Sequence, residues 1–413
     1  MSTTVTYPGD GVDADTEILN GITAALADDG HLIIPAEATP WQIAGPAGTG
    51  LDVPRAAIYL QDGLHMEING DLLAKTGQFL GARDCMIRAD KKTAFRLSGT
   101  GKVRMRKAEY AGEFRHCLNV RGSTDWLVDG ALAFNDSGGD GIFIGPSETD
   151  LDDLRIQCAD YAVKNVVCDN NRRQGISILS AIRALLYGCT LTNSVGTAPQ
   201  SGLDIEPEYD SVNDLPDHIT DLRVVNCVGS GSASRNFFVN LSHMGDTSPP
   251  ATILFHNCRS LNTVRNPWGW NFSMPTFGPL GGRIDVVNCV ARGLLKKALR
   301  VQWRVDRGPA LNFHNFWSDD CAISLEPAPI ELELGTAGGT GRHVWFNNLR
   351  ISDRFDRALI QKTSIPDPCA EVRGTIQVDR LKDFRPRAAQ VAGLPYVRYR
   401  EFRDRPVTLH NTA

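Results

Sequence analysis

The segment DIEPE holds three acidic side chains within five residues. Asp204 and Glu206 are two residues apart, so in a β-strand both point to the same side, with β-carbons about 6–7 Å apart. Carboxyl groups roughly 6.5–9.5 Å apart can flank a water molecule as acid and base, and their mutual repulsion raises one pKa. Glu208 is either a third member or a turn residue after Pro207. The alternative is a pair that binds an ion or caps the loop YDSVNDLPD.

A second acidic segment, NDSGGDGIFIG, places Asp136 and Asp140 just before a predicted strand, at the edge of the same surface. Its glycines allow a tight turn and leave space for a ligand. We expect Asp140 to assist the Asp204–Glu206 pair. The structural alternative is a glycine-rich turn with an Asx cap.

The segment NNRRQG lies between the two acidic segments and supplies Arg172, Arg173 and Gln174. An arginine fork can hold a carboxylate or a pair of hydroxyl groups in fixed geometry. We therefore expect these three residues to bind substrate, with Arg173 in the groove and the other arginine solvated.

Further candidates for substrate binding follow at similar intervals. Trp268 could stack on the apolar face of a sugar ring, whereas Trp270 falls at an inward position and is predicted to lie in the core. His243 is a candidate general base, although a histidine after a strand is more often a loop residue; His116 and His314 are weaker candidates still. The whole set is Arg235, Asn240, His243, Trp268, Asn271 and Arg300.

A repeat in the sequence indicates the strands and turns that position these residues. Asn-Cys or Gly-Cys follows a β-branched run in LLYGCTLTN, LRVVNCVGS, ILFHNCRSL and IDVVNCVAR, and Cys227, Cys258 and Cys289 are 31 residues apart. These runs alternate or are continuous, as strands are, and lack a 3.6-residue period. Asparagine suits a left-handed corner, and the following cysteine would face inward as a small apolar residue.

A second series has the inward–outward–inward pattern of short strands, at steps of 24 to 34 residues. Coils of this size, each with two or three strands, are typical of a parallel solenoid. The alignment predicts one outward column through Asn119, Asp204 and Arg300 and a second through Arg121, Glu206 and Gln302. The members of the series are 117–121, 141–145, 175–179, 202–206, 236–240, 269–273, 298–302 and 322–326.

RHCLNVRGSTDWLVDGALAFNDSGGDGIFIG, NNRRQGISIL and APQSGLDIEPE resemble the pectin-lyase-like superfamily of right-handed parallel β-helices. GDGVDADTEILNGITAAL…GHLIIPAE is similar to its N-terminal cap, in which a short helix precedes the first coil. The resemblance covers roughly residues 8 to 350 and implies an all-β, right-handed parallel β-helix with an N-terminal capping helix. Members of this superfamily include polysaccharide lyases, inverting glycosidases, uronan epimerases, fructan transferases and phage tail depolymerases.

We expect one domain with three parts: an N-terminal cap and first strands (1–50), the β-helix coils (51–350), and the last coils with a C-terminal cap (351–413). Caps are expected because an open solenoid end exposes apolar core and unpaired strand edges. Solenoids of this kind often pack side by side, so a homo-oligomer, with a trimer as the guess, is a possible assembly.

Composition narrows the functional classes. The 413 residues are 42% hydrophobic and 22% charged, which argues against disorder. A net charge of -5 does not indicate a nucleic-acid partner, and no apolar run is long enough for a membrane span. Ten cysteines without a CxxC pair predict reduced, buried thiols and no metal site. The N-terminus shows no signal peptide, which predicts a cytoplasmic protein, or a secreted one if a signal has been removed.

Three functions follow from these residues. The first is a glycoside hydrolase that cleaves a poly- or oligosaccharide with Asp204 and Glu206, assisted by Asp140, and needs no cofactor. The second is a polysaccharide lyase or uronate epimerase, in which Arg173, Arg235 or His243 takes part in proton abstraction and Ca²⁺ is possible. The third is a non-catalytic glycan-binding β-helix. The motifs YGxDPH of uronan epimerases and NTD…DD of polygalacturonases are absent, so the reaction stays open, including a small-molecule isomerase or cyclase.

Overall fold

A computed structural model gives the three-dimensional structure of the chain. It describes residues 1–46, 54–148, 155–210, 215–262, 267–275, 280–302, 308–324, 328–333, 343–353, 359–363, 371–380 and 408–412. These residues form one α-helix, α1 (Asp15–Ala27), a short 3-10 turn at Lys107–Glu109, and many short strands.

The strands of the first third are β1 (Thr3–Thr4), β2 (His31–Ile34), β3 (Trp41–Ile43), β4 (Ala56–Tyr59), β5 (His65–Ile68), β6 (Leu72–Ala74), β7 (Cys85–Asp90), β8 (Arg96–Ser98), β9 (Lys102–Arg104), β10 (Leu118–Arg121), β11 (Thr124–Val128), β12 (Ala133–Asn135) and β13 (Ile142–Gly145). The middle third holds β14 (Ala159–Lys164), β15 (Val167–Asp169), β16 (Ile176–Ile178), β17 (Ala181–Tyr187), β18 (Thr190–Thr192), β19 (Ser201–Ile205), β20 (Tyr209–Asp210), β21 (Leu215–Pro216), β22 (Ile219–Val225), β23 (Val228–Ser230), β24 (Arg235–Asn240), β25 (Ala251–His256), β26 (Arg259–Leu261) and β27 (Trp268–Ser273). The last strands are β28 (Gly282–Val287), β29 (Val290–Arg292), β30 (Leu299–Gln302), β31 (Ala310–His314), β32 (Trp317–Asp319), β33 (Ile330–Glu333), β34 (His343–Asp353), β35 (Ile360–Thr363), β36 (Glu371–Arg380) and β37 (Thr408–Thr412).

The strands stack as a parallel solenoid. One sheet, here called the front sheet, contains β4, β7, β10, β13, β16, β19, β24, β27, β30, β33 and β35 in that order. A typical coil adds two back strands, such as β11 and β12 after β10, and each back strand pairs in parallel with its equivalent one coil away. Each coil therefore presents one short strand to the front sheet, as the second series predicted.

In each of three successive coils, an asparagine in the left-handed conformation forms the corner between the two back strands. Asn226, Asn257 and Asn288 have φ values of 57°, 54° and 54°. Asparagine tolerates this conformation better than most residues because its short amide bonds locally. Cys227 and Cys258, which follow two of these corners, are fully buried, like Cys289 after the third. The nine cysteines among the described residues are all free and buried, as the sequence predicts.

The interior is an apolar column that runs along the solenoid. Trp270 is fully buried and stacks on Phe237 one coil away at 4.8 Å, with Phe316 edge-on at 5.3 Å. The predicted core position of Trp270 is therefore confirmed. At the N-terminal end, α1 buries Ile18 and Ile22 against the first coil, so the helix covers apolar core that would otherwise face solvent.

One predicted strand is wrong. The series continues after β30 with β33, since Arg300 pairs with Glu331, and does not continue with 322–326. Ala322 has a φ of 57° and Asp320 one of 51°, so the chain is still turning there. Ser324 thus leaves the first predicted outward column and Glu331 takes its place, while Glu326 lies outside the described residues.

The described residues bear on two other predictions, which concern a membrane span and the C-terminal cap. No described helix is long and apolar enough to cross a membrane. The cap predicted for 351–413 lies mostly outside the described residues, although β34 and β36 continue the back stack as parallel partners.

Candidate active site

Outward side chains of the front sheet line up in columns because its strands are parallel and in register. The first column contains Asn119, Phe143, Ser177, Asp204, Phe238, Asn271 and Arg300. The second contains Arg121, Gly145, Leu179, Glu206, Asn240, Ser273 and Gln302. Both columns were predicted from the sequence, and the strand register confirms them up to β30.

A third column lies at the start of the same strands and was not predicted. It contains His116, Asp140, Gln174, Ser201, Arg235, Trp268 and Lys297. Four of these residues lie in the turns that enter the front sheet, and Ser201, Arg235 and Trp268 are the first residues of their strands. Five of the seven can carry charge or stack on a ligand, so the functional face begins where the chain enters the strands.

Gln174 joins the two buried aspartates. Its backbone N–H donates to Asp140 Oδ1 at 3.0 Å, and its side-chain Nε2 donates to Asp204 Oδ2 at 2.7 Å. Asp140, Gln174 and Asp204 have no exposed surface. Adjacent coils therefore hold the two carboxyl groups in fixed positions through one glutamine.

Glu206 faces the solvent more than Asp204 does. Its backbone N–H donates to Ile178 O, which continues the pairing of β19 by one residue. The side chain accepts a hydrogen bond from Asn240 Nδ2 at 2.7 Å. Arg173 Nη2 lies 3.7 Å from Glu206 Oε2, and Arg173 Nη1 lies 3.8 Å from Asp140 Oδ2. One guanidinium therefore bridges carboxylates from two coils.

Burial sets the protonation of the aspartates. Burial, and then the charge of Glu206, raises the pKa of Asp204 well above its usual value. Burial raises the pKa of Asp140 to about 7, despite the opposing charge of Arg173. Loss of hydration penalises the charged form of a carboxyl group, so burial favours the protonated form of Asp204.

Arg173 remains charged in this setting. Burial alone would lower its pKa, but the surrounding charges of Asp140, Asp204 and Glu206 raise it. Arg173 is therefore suited to neutralise an anion and poorly suited to accept a proton.

His116 belongs to the same cluster, although it was only a weak candidate in the sequence analysis. Its Nδ1 accepts a hydrogen bond from the Asp140 backbone N–H at 3.1 Å, and its ring stacks on Phe143 at 4.9 Å. Burial, followed by the nearby arginines, lowers the pKa of His116 well below its usual value. The imidazole is thus neutral. Its place in the third column is the only sequence signal that could have predicted its position in the site.

A cationic and aromatic cluster continues the face beyond the carboxylates. The Arg235 guanidinium lies 4.1 Å from the Phe238 ring centre and 5.3 Å from that of Trp268. Arg300, from the following coil, lies 4.7 Å from the same indole. Trp268 was predicted to stack on a sugar, but its register partner Arg235 and two cations of the following coil, Arg300 and Lys296, already lie near its ring. A sugar would have to replace one of them or contact the ring edge.

Several buried polar atoms on this face have no hydrogen-bond partner among the described residues. They include both amide atoms of Asn271, Ser177 Oγ, Asp204 Oδ1 and Gln174 Oε1. Such groups are costly to leave unpaired in a native structure. Their concentration on one face is typical of a surface that binds a polar ligand.

Four predicted residues are not among the described contacts of Asp140, Asp204 and Glu206. His243 is exposed on the turn after β24, and the Glu208 side chain is exposed beyond β19. Arg172 and Asp136 line a separate cleft of about 550 Å³ beside β9. Asp136 has a φ of 56° and accepts a hydrogen bond from Asn170 Nδ2 at 2.7 Å, and its groove-edge position stays a prediction.

No protein-family model and no curated protein sequence matches the chain. Among solved structures, the mannuronan C-5 epimerase A-module of Azotobacter vinelandii matches with a TM-score of 0.60 and 14% identity, over 91% of this chain and 93% of that one. A tailspike protein of E. coli bacteriophage HK620 in complex with a pentasaccharide matches with a TM-score of 0.61 and 10% identity.

The chain is a right-handed parallel β-helix. The predicted right-handed parallel β-helix is thereby confirmed. The match covers 91% of this chain but 64% of the tailspike. At these identities the likeness concerns the fold, and the function must be argued from the site.

Proposed function

We propose that this β-helix is a carbohydrate-active enzyme that cleaves glycosidic bonds of a poly- or oligosaccharide lying along the front sheet. The observation that carries the proposal is the contrast between Asp204 and Glu206. They occupy consecutive outward positions, yet Asp204 is buried with a raised pKa and Glu206 is partly exposed. Two carboxyl groups in different environments are the usual basis of acid and base roles.

In a hydrolase, Asp204 would be the acid and Glu206 the base. Asp204 gives its proton to the glycosidic oxygen as the bond between that oxygen and the anomeric carbon breaks. A water molecule attacks the anomeric carbon from the opposite side and passes its proton to Glu206. The strand geometry places the two β-carbons about 6–7 Å apart, which suits the roughly 6.5–9.5 Å between carboxyl groups of inverting enzymes.

The neighbours of this pair support the assignment. Gln174 fixes Asp204 Oδ2, and Oδ1 has no hydrogen-bond partner among the described residues, so Oδ1 is the atom proposed to carry the transferred proton. Asn240 orients Glu206. Asp204 has no exposed surface, so the side chains that cover it must turn aside when a sugar enters.

A polysaccharide lyase or uronate epimerase is the second candidate, and Arg235 is the observation that favours it. Burial lowers the pKa of Arg235, which lies against Phe238 and Trp268. A guanidine with a lowered pKa can take a proton beside a uronate carboxylate more easily than an ordinary arginine. Arg173 would then pair with that carboxylate.

A metal ion in this alternative would need oxygen ligands. Among the described residues, no three or more His, Cys, Asp and Glu side chains are arranged as a metal site. The step that Arg235 would perform uses only this chain's own residues.

Incubation with neutral and uronate-containing glycans distinguishes these functions. Reducing ends without unsaturated-uronate absorbance, lost in Asp204→Asn and Glu206→Gln, would support the hydrolase. New absorbance that is lost in Arg235→Lys would support the lyase and refute the hydrolase. Binding that leaves every glycan unchanged would indicate the non-catalytic protein. Asp129→Asn is the matched control, since its surface ion pair with Arg96 lies on the back strands.

A further inference from the structure

Three arginines converge on one carboxylate at the N-terminal end of the front sheet. Arg83 Nη2 donates to Glu148 Oε1 at 2.9 Å, Arg121 Nε lies 3.3 Å from the same oxygen, and Arg88 Nη2 lies 3.6 Å from Oε2. Arg88 and Arg121 are outward residues of β7 and β10. Glu148 belongs to the turn after β13, so two guanidiniums of the sheet depend on a side chain from outside it.

Two of the three arginines are buried more deeply than the carboxylate, while Arg83 is about as exposed as Glu148. Arg88 is 4% exposed and Arg121 packs over the Phe143 ring at 4.5 Å, whereas the Glu148 side chain is 30% exposed. Burial lowers the pKa of Arg121 to about 10, which shows how poorly water solvates its charge. Arg88 Nη1 has no hydrogen-bond partner among the described residues, and Arg121 Nε contacts Glu148 as an ion pair without hydrogen-bond geometry. Arg88 and Arg121 thus form a built site, which the more exposed side chains of Glu148 and Arg83 complete.

Asp90 is a second acidic partner of this cluster among the described residues, and it accepts a hydrogen bond from Arg88 Nη2 at 2.9 Å. Removing Glu148 would take one negative charge from beside three guanidiniums, and a carboxylate of a ligand would restore it.

The cluster lies on the same face as the candidate active site. Arg121 shares the second outward column with Glu206, and three strand spacings separate β10 from β19. At about 4.8 Å per spacing this is about 14 Å along the solenoid, within reach of a few linked sugars. A glycan that passes Glu206 would therefore also pass this cluster.

We propose that Arg83, Arg88 and Arg121 form a subsite for the carboxylate of an acidic sugar, and that Glu148 occupies this subsite in the free protein. The inference rests on the proposed function, because it assumes that the glycan lies along the front sheet. Arginine forks recognise carboxylates in pairs of parallel hydrogen bonds. An acidic sugar would replace Glu148 ion for ion, whereas a neutral sugar could not.

Calorimetric titration of the full chain with oligogalacturonate and oligomannuronate tests this subsite, with the carboxyl-reduced oligomers as neutral probes. Glu148→Gln keeps the shape of the side chain but removes the competing charge, so we expect it to bind an acidic oligomer at least tenfold more tightly. Affinity for the reduced oligomers should not change. Glu67→Gln is the matched control, since Glu67 is 32% exposed in an ion pair with His31 on the back strands.

Arg83 variants separate a fork from a general charge effect. Arg83→Met and Arg83→Lys should both weaken binding of the acidic oligomer, although the lysine keeps the charge. If Glu148→Gln does not tighten acidic binding, or tightens neutral binding equally, the subsite is refuted; equal binding by Arg83→Lys and the unaltered protein would refute the fork.

These experiments distinguish a failure of the proposed subsite from a failure of the proposed cleavage activity. Tighter acidic binding by Glu148→Gln without cleavage of any glycan would support the subsite and refute the enzyme. Cleavage of a neutral glycan with no effect of Glu148→Gln would do the reverse.

Discussion

Asp140 makes the stability of the protein depend on pH in a way that one substitution can remove. Its carboxyl group is fully buried, and burial raises its pKa from 3.8 to about 7. In the unfolded chain the group ionises near its ordinary value. Because the folded-state pKa is the higher one, protonated Asp140 stabilises the fold fully below pH about 4. This contribution is lost as the pH rises to about 7.

The size of the effect follows from the two pKa values. Each pKa unit corresponds to about 1.4 kcal/mol, so ionisation of Asp140 costs up to about 4 kcal/mol at pH 8. Asp140→Asn cannot ionise, and its amide oxygen can still accept the Gln174 N–H that Asp140 accepts at 3.0 Å. We therefore expect the variant to match the unaltered protein near pH 4 and to exceed its free energy of unfolding at pH 8.

Urea unfolding at several pH values between 4 and 8 measures this difference. Burial also raises the pKa of Asp217 to about 7, but that contribution is common to both proteins and cancels. Asp129→Asn, which alters a surface ion pair, should change stability by no more than about 1 kcal/mol at each pH. If Asp140→Asn is less stable at pH 8, or if the difference between the proteins does not grow with pH, the burial argument is wrong.

Three further predictions test the site and the fold. Asp204→Asn and Glu206→Gln should each lower the rate of cleavage by about 10²–10⁴-fold while binding persists, measured by reducing ends and calorimetry. Asn257→Ala should lower the free energy of unfolding by about 1–2 kcal/mol because φ is 54° there, and Asn257→Gly should cost less; urea unfolding of the two variants decides. Trp270→Ala should cost about 3–5 kcal/mol because the indole is fully buried, and a loss below 1 kcal/mol in the same assay would contradict the core assignment.

Much of the fold could be predicted because its physical constraints are local. An asparagine at a left-handed corner and an apolar residue after it are requirements of one turn, and they recur at Asn226, Asn257 and Asn288. The failure at 322–326 has the same origin. Both that segment and 330–333 alternate in polarity, and only the positive φ of Ala322, which the sequence does not reveal, decides between them.

The candidate site could be predicted only where it lies on strands. Asp204 and Glu206 follow the two-residue alternation, so their common side was evident. His116 and Glu148 lie in turns, where no period indicates direction, and their contacts depend on how neighbouring coils stack. Arg172 and Arg173 are consecutive in the sequence, yet they face different clefts.

The order of charges along the front sheet arises from the stacking of the coils, because each coil contributes only one row. Arginines of β7 and β10 come first, the carboxyl groups around β19 follow, and Arg235 and Arg300 lie beyond them. Because each coil contributes one row, a linear ligand along the axis would meet these charges in sequence. A shift of one residue in a strand would turn Asp204 and Glu206 into the core. The lengths of the turns can vary freely, but the register of the strands that they connect cannot, and it is this register that gathers residues from distant coils into one surface.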